Sequence, residues 1–321
     1  MAAFSLLSLF HPDPSIPKMT TKPLAVLNKA YKMQVPYELK QGQKRLFHQL
    51  PSGLNMEVIE QKGLVLADKE INRGPRNSER NPPLVFVHGS YHAAWCWAEH
   101  WLPFFSGFGF DSYAVSLLGQ GESDAPASPV AGSLQTHAGD VADFIEKKLT
   151  FPPVLLGHSF GGLIIQCYIA NIRNKQTLEK KMLYPDLAGA VLVCSVPPSG
   201  NSYQALMKES SRMPLFDLRK LNSSLPVPSV PKSSIEVLVL GANDDFIVDT
   251  EGLNETGRFY GVSPICVEGV AHDMMLDCSW EKGFYLKQSI PSSMSLFLIV
   301  SPMVLAEEDE VVSPSPEPYP S

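Results

Sequence analysis

The stretch that decides the fold is Pro153-Val154-Leu155-Leu156-Gly157-His158-Ser159-Phe160-Gly161-Gly162-Leu163-Ile164-Ile165-Gln166. An apolar run of strand length leads into a glycine-flanked serine, and a helix-compatible run follows. A G-x-S-x-G sequence in that setting is a strained strand-to-helix turn that holds its serine hydroxyl above a sheet edge. Gly157 and Gly161 leave room for the tight turn, and the helix N-terminus behind Ser159 favours developing negative charge. Ser159 is therefore the candidate nucleophile.

A serine nucleophile needs a base, a group that orients the base, and donors for the oxyanion. Upstream, Pro83-Leu84-Val85-Phe86-Val87 reads as a buried strand ending in His88-Gly89-Ser90-Tyr91. The N–H of Ser90 and that of Phe160 are the expected oxyanion donors. His88 reads as structural support for that turn, and Tyr91 and His92 as pocket-lining residues that bind substrate. His158 reads as packing, because a chain neighbour of the serine does not normally bring its ring to the hydroxyl.

Downstream, Ile235-Glu236-Val237-Leu238-Val239-Leu240 is a further strand, running into Gly241-Ala242-Asn243-Asp244-Asp245. Asp244 and Asp245 point different ways, so only one can orient the base. Counting four residues from Gly241 selects Asp245, and counting three selects Asp244; Asp245 is preferred. A last strand, Pro264-Ile265-Cys266-Val267-Glu268, leads to Gly269-Val270-Ala271-His272, which puts His272 on a loop as the base.

The order Ser159, Asp245, His272 resembles the α/β-hydrolase family. The resemblance covers roughly residues 83–282 and rests on His88-Gly89, Gly119-Gln120-Gly121-Glu122-Ser123, the Gly157–Gly162 turn, Gly241 to Val248, and Gly269 to Leu276. The His88 to Trp97 stretch is similar to the oxyanion strand of plant methylesterases and hydroxynitrile lyases. Ala271-His272-Asp273-Met274-Met275-Leu276 looks more like lipase or lysophospholipase members. The resemblance implies a doubly wound, mostly parallel sheet with a short cap. It also implies hydrolysis through an acyl-enzyme, without metal or organic cofactor. Epoxide hydrolase chemistry is disfavoured, because it needs a carboxylate where this chain has Ser159. One departure stands out: many members carry an Asp in the strand before the Gly-x-Gly loop, where this chain has Ser116.

The remaining sequence bounds the setting. In 321 residues, 44% hydrophobic and 18% charged residues suffice for one ample core. A net charge of −7 without a basic cluster excludes nucleic acid as the expected partner. The five cysteines are scattered, as reduced buried thiols are, and no C-x-x-C or H-E-x-x-H pair points to a metal. No run reaches the length of a transmembrane helix. Residues 1–45 form an N-terminal extension; before Glu38 the only acid is Asp13, against Lys18, Lys22, Lys29 and Lys32. An acid-poor leader without arginine is expected to be a plastid transit peptide, the alternative being a cytoplasmic protein with an unaddressed extension.

Residues 46–285 are expected to form the hydrolase domain. One or two antiparallel edge strands fall within Leu46 to Glu70, and helices over Ala94 to Phe105 and Ser133 to Leu149. Trp95, Trp97 and Trp101 recur at helical spacing and read as core. A cap over about residues 200–234 carries Leu206, Met207, Met213, Leu215 and Phe216 for a lipophilic pocket. Residues 286–321, acidic and proline-rich towards their end, read as an atypical disordered tail. The expected partner is a small ester or lipid-like substrate. Two rival functions are a hydroxynitrile-lyase-like enzyme and a triad-bearing small-molecule receptor with little turnover.

Overall fold

The computed structural model describes residues 37–64, 81–172, 184–200, 213–228 and 235–281. Residues 1–36 of the expected leader, the acidic tail, and Leu206 and Met207 of the expected cap lie outside the described residues, whereas residues 37–45 are described and Gln43 already belongs to the sheet.

Eight strands form a single sheet: β1 (Gln43–Gln49), β2 (Asn55–Gln61), β3 (Leu84–Val87), β4 (Ser112–Val115), β5 (Val154–His158), β6 (Gly189–Val193), β7 (Val237–Ala242) and β8 (Ile265–Val267). Their spatial order is β1-β2-β4-β3-β5-β6-β7-β8. β1 and β2 pair antiparallel, and β2 runs antiparallel to β4; every pairing from β4 to β8 is parallel. The antiparallel edge thus holds two strands where one or two were expected, and β1 begins three residues before Leu46.

The parallel strands are short and apolar because both their faces are covered. Along β3, Val85 and Val87 face one core with Leu155 of β5, α3 (Leu134–Lys148) and α4 (Phe160–Ile172). Leu84 and Phe86 face the opposite core with α1 (Trp95–Ala98) and α2 (Trp101–Gly107). This alternation makes the sheet the middle of three layers. Trp97 and Trp101 are fully buried in the second core, with ring centroids 5.0 Å apart.

The α3 span matches the periodic pattern, and the Ser133 hydroxyl caps it by accepting from the Thr136 N–H at 3.1 Å. The expected helix over Ala94 to Phe105 is instead two short ones. Pro103 has no N–H to give the Glu99 carbonyl, so a continuous helix breaks there and restarts with proline in its first turn. Two further helices, α5 (Leu218–Ser223) between β6 and β7 and α6 (Thr250–Tyr260) after β7, and a 3₁₀ turn over Met274–Leu276 complete the described elements.

Candidate active site

The carboxyl ends of β3, β5, β6, β7 and β8 converge on one edge of the sheet. Three non-glycine residues have left-handed backbone among the described residues, and all lie on loops there: Tyr91 (φ 67°), Ser159 (φ 53°) and Cys194 (φ 43°). Such strain collects where the fold over-determines a functional position. Ser159 sits between β5 and α4; its N–H donates to the Val193 carbonyl and its own carbonyl accepts from Val196. The flanking glycines are required by contact as well as by the turn. A Cβ on Gly157 would lie 2.6 Å from the Gly161 oxygen, and one on Gly161 would overlap the Val87 carbonyl.

The loop after β3 packs directly on this elbow. A Cβ on Gly89 would come within 2.7 Å of the Ser159 Cβ, so only glycine lets the two turns meet. His88 latches the loop from behind. Its Nε2 accepts the Leu117 N–H at 2.9 Å, which leaves the proton on Nδ1 to donate to the Gly89 carbonyl at 2.7 Å. Full burial pushes its pKa down to about 3, so it is a neutral structural ring. Ser90 follows Gly89 in this turn, and Phe160 opens α4, where first-turn N–H groups have no intrahelical acceptor.

Asp245 and His272 meet at the ends of β7 and β8. The Asp245 Oδ2 accepts from His272 Nδ1–H at 2.8 Å, and its Oδ1 accepts the Ile247 and Val248 N–H groups, each at 2.8 Å. With the proton held on Nδ1, Nε2 of His272 carries the lone pair that a base needs. The Asp245 side chain is 1% exposed, whereas Asp244 is solvent-exposed and uses its backbone N–H on the Val270 carbonyl. The geometry therefore pairs His272 with Asp245 and not with Asp244.

His158 joins this pair to the elbow. Its Nε2–H donates to the His272 carbonyl at 2.9 Å, and the two rings lie 4.7 Å apart. Burial, aided by the His272 and His92 rings, drives its pKa well below the usual histidine range. Its Nδ1 is buried without a partner. The residue next to Ser159 thus holds the backbone of His272, a connection across 114 positions that no local pattern encodes. His92 donates from Nδ1 to the Ser90 carbonyl at 2.9 Å, and its Nε2 lies 3.7 Å from Asp273. Tyr91 is 45% exposed at the tip of the same loop.

Two supports escape sequence reading. Cys194, fully buried at the end of β6, sits with its sulfur, an Asp245 carboxylate oxygen and a His272 nitrogen all within 4.8 Å of one another. Burial and the Asp245 carboxylate raise its thiol well above the usual range, so it stays protonated. Glu57, buried on β2, supplies a carboxylate beside Ser116. Its Oε2 accepts the Ser116 hydroxyl at 2.6 Å and the Glu122 N–H at 2.9 Å, while Arg45 holds Oε1 at 2.7 Å. Ser116 Oγ in turn accepts the Ala94 N–H at 2.9 Å, tying α1 to the Gly-x-Gly loop. All five cysteines are free. The two clusters able to hold a metal ion among the described residues are His92–His158–Asp273 and Cys194–Asp245–His272.

Comparison with known proteins bears on the fold. The sequence profile of the alpha/beta hydrolase family matches residues 84–228. An epoxide hydrolase structure from Vigna radiata superposes with a TM-score of 0.54 at 15% identity, covering 76% of this chain and 96% of that one. The chain has the α/β-hydrolase fold. A putative lipase from Acinetobacter baumannii superposes with a TM-score of 0.53 at 18% identity, covering 81% and 92% of the two chains. Curated relatives match over shorter stretches. The putative methylesterase 13, chloroplastic, of Arabidopsis thaliana is 34% identical over 98 residues, 30% of this chain and 21% of that protein. A non-heme chloroperoxidase of Streptomyces lividans is 34% identical over 125 residues, 39% of this chain and 40% of that protein. Epoxide hydrolase 2 of Siraitia grosvenorii is 28% identical over 109 residues, 34% of each chain. The chain therefore spans well under half the length of these curated relatives.

Proposed function

We propose that this α/β-hydrolase-fold chain is a serine hydrolase that cleaves a carboxylic ester or thioester of a fairly apolar acyl group. The observation that carries the reading is the Asp245–His272 pair, held through the His272 carbonyl to the chain neighbour of a strained Ser159. In the proposed cycle the Ser159 hydroxyl attacks the carbonyl carbon while Nε2 of His272 takes its proton. Asp245 stabilises the imidazolium, and the Ser90 and Phe160 N–H groups receive the oxyanion. His272 then protonates the leaving alcohol or thiol. It next draws a proton from water, which attacks the acyl carbon, and returns that proton to the Ser159 oxygen as the acyl C–O bond breaks and the carboxylic acid leaves.

The cap supports an apolar acyl group. Leu215 and Phe216 are buried, and the Phe216 ring lies 5.3 Å from that of Phe160. Phe216 also lines a cavity of about 260 Å³ whose wall mixes Val130, Ala131, Leu134 and Leu221 with the polar Ser128, Ser133, Thr136, Asp217, Lys220 and Ser224. Ser159 does not line that cavity. Among the curated relatives are proteins named methylesterase and epoxide hydrolase. A serine hydroxyl, in place of a carboxylate, at the elbow favours ester chemistry for this chain.

Turnover of a series of p-nitrophenyl esters of graded chain length tests the reading. An initial burst followed by steady release is the expected result, with a preference for chains longer than acetyl. Tight ligand binding without turnover would instead support the receptor reading. The acid-poor leader, and one relative named chloroplastic, support a plastid location. A full-length fluorescent fusion that stays in the cytoplasm would refute it.

A further inference from the structure

His92, His158 and Asp273 stand side by side at the edge of the candidate site and have no part in the proposed cycle. Asp273 Oδ1 lies 3.6 Å from His158 Nε2, and Oδ2 lies 3.7 Å from His92 Nε2. Both separations are too long for hydrogen bonds. They are close to the roughly 3.3 Å between ligand atoms on a tetrahedral ion with bonds of about 2.0–2.1 Å. All three ligand atoms lie within 4.8 Å of one another.

The chemistry of each group suits a metal. His92 spends its Nδ1 proton on the Ser90 carbonyl, so Nε2 is bare; an oriented imidazole with its far N–H on a carbonyl is how metal-bound histidines are held. The Asp273 side chain is 49% exposed, open to an arriving ion. His158 currently places its proton on Nε2 to reach the His272 carbonyl. Its Nδ1 has no partner, so moving the proton from Nε2 to Nδ1 releases no proton and sacrifices one hydrogen bond, the one that holds His272.

We propose that His92, His158 and Asp273 form an inhibitory site for a divalent transition-metal ion of the zinc class. Two imidazoles and one carboxylate select such an ion over magnesium or calcium. The bound ion takes His158 Nε2 from the His272 carbonyl, and a displaced base loses its alignment with Ser159. Misplacement of about 1 Å at a reacting group lowers turnover on the order of a hundredfold. The ion regulates and takes no part in the cycle. The inhibition rests on the serine hydrolase reading; the binding site does not.

The test titrates the full-length chain with Co²⁺, followed by visible absorption, and in parallel measures p-nitrophenyl ester turnover with and without Zn²⁺. One ion should bind with d–d bands and no thiolate charge-transfer band, and Asp273→Asn should weaken it at least tenfold. His92→Gln, read by binding alone, should do the same. Zn²⁺ inhibition should fall in step in Asp273→Asn, and a chelator should reverse it. A thiolate band, or equal binding in both variants and the native chain, overturns the site. Binding that depends on Asp273 but leaves turnover unchanged overturns the inhibition. A native chain without turnover sinks the hydrolase reading, while the Co²⁺ titration still decides the site.

Discussion

Replacing Asp245 and Asp244 in turn by asparagine separates two adjacent carboxylates by their geometry alone. Asp245 uses both oxygens: Oδ1 on two backbone N–H groups and Oδ2 on His272 Nδ1–H. In Asp245→Asn the single carbonyl oxygen goes to the pair of N–H groups, and the amide N–H₂ faces Nδ1. His272 must then present a lone pair at Nδ1 and carry its proton on Nε2, where it can no longer accept from Ser159. The negative charge that would stabilise the imidazolium is gone as well. A wrong tautomer of this kind lowers kcat on the order of 10⁴-fold, about 5.4 kcal/mol of transition-state stabilisation. Asp244 is exposed, and its asparagine variant should stay within about 0.5 kcal/mol in stability and about twofold in rate. The assay is kcat/KM on a p-nitrophenyl ester, with far-UV circular dichroism to verify folding. Equal losses in the two variants, or a folded Asp245→Asn within tenfold of the native rate, would refute the assignment.

Other expectations follow from contacts elsewhere in the fold. Gly89→Ala pushes a methyl group to 2.7 Å from the Ser159 Cβ; it should lose about 1–3 kcal/mol of stability in a denaturant melt and a disproportionate share of turnover. Ser116→Asp sets a second carboxylate against Glu57 Oε2 and should destabilise by about 3 kcal/mol, with Glu57→Gln in the same chain recovering most of it. Burial, with Asp143 nearby, raises the Asp140 carboxyl from 3.8 to about 7. The folded state therefore holds that proton more tightly than the unfolded chain, and the contribution of Asp140 to stability falls as pH rises from about 4 to about 7. Asp140→Asn should raise the melting temperature above pH 7 and lose that advantage below pH 4; a gain independent of pH would contradict it.

The elements built from local pattern were legible in the sequence, and the ones built from distant contacts were not. The Pro153–Gln166 stretch places β5, the elbow and the start of α4 because apolar run, small residues and helix formers follow in order. α3 is readable from its three- and four-residue apolar steps and its serine cap. The break between α1 and α2 was written in Pro103, whose missing N–H outweighs the tryptophan spacing. β1 carries exposed Leu46 and Phe47 and a buried Gln43, so hydrophobicity alone misplaces its start. Asp244 and Asp245 are equivalent as residue types, and only the turn that aims one of them at His272 tells them apart. Ser116 departs from the pattern that the family resemblance implies, and its hydroxyl donates at 2.6 Å to a carboxylate, Glu57, that lies 59 positions away. The grip of His158 on the His272 carbonyl likewise needs the folded sheet to exist before it can be seen.

The proposed function requires Ser159 to be a nucleophile activated by His272. Intact mass and peptide mapping of the chain after exposure to a fluorophosphonate test it most directly. One covalent adduct is expected, located on Ser159, absent from Ser159→Ala and formed far more slowly in a folded His272→Ala. An adduct on another residue, or labelling of Ser159 that proceeds equally fast without His272, would contradict it.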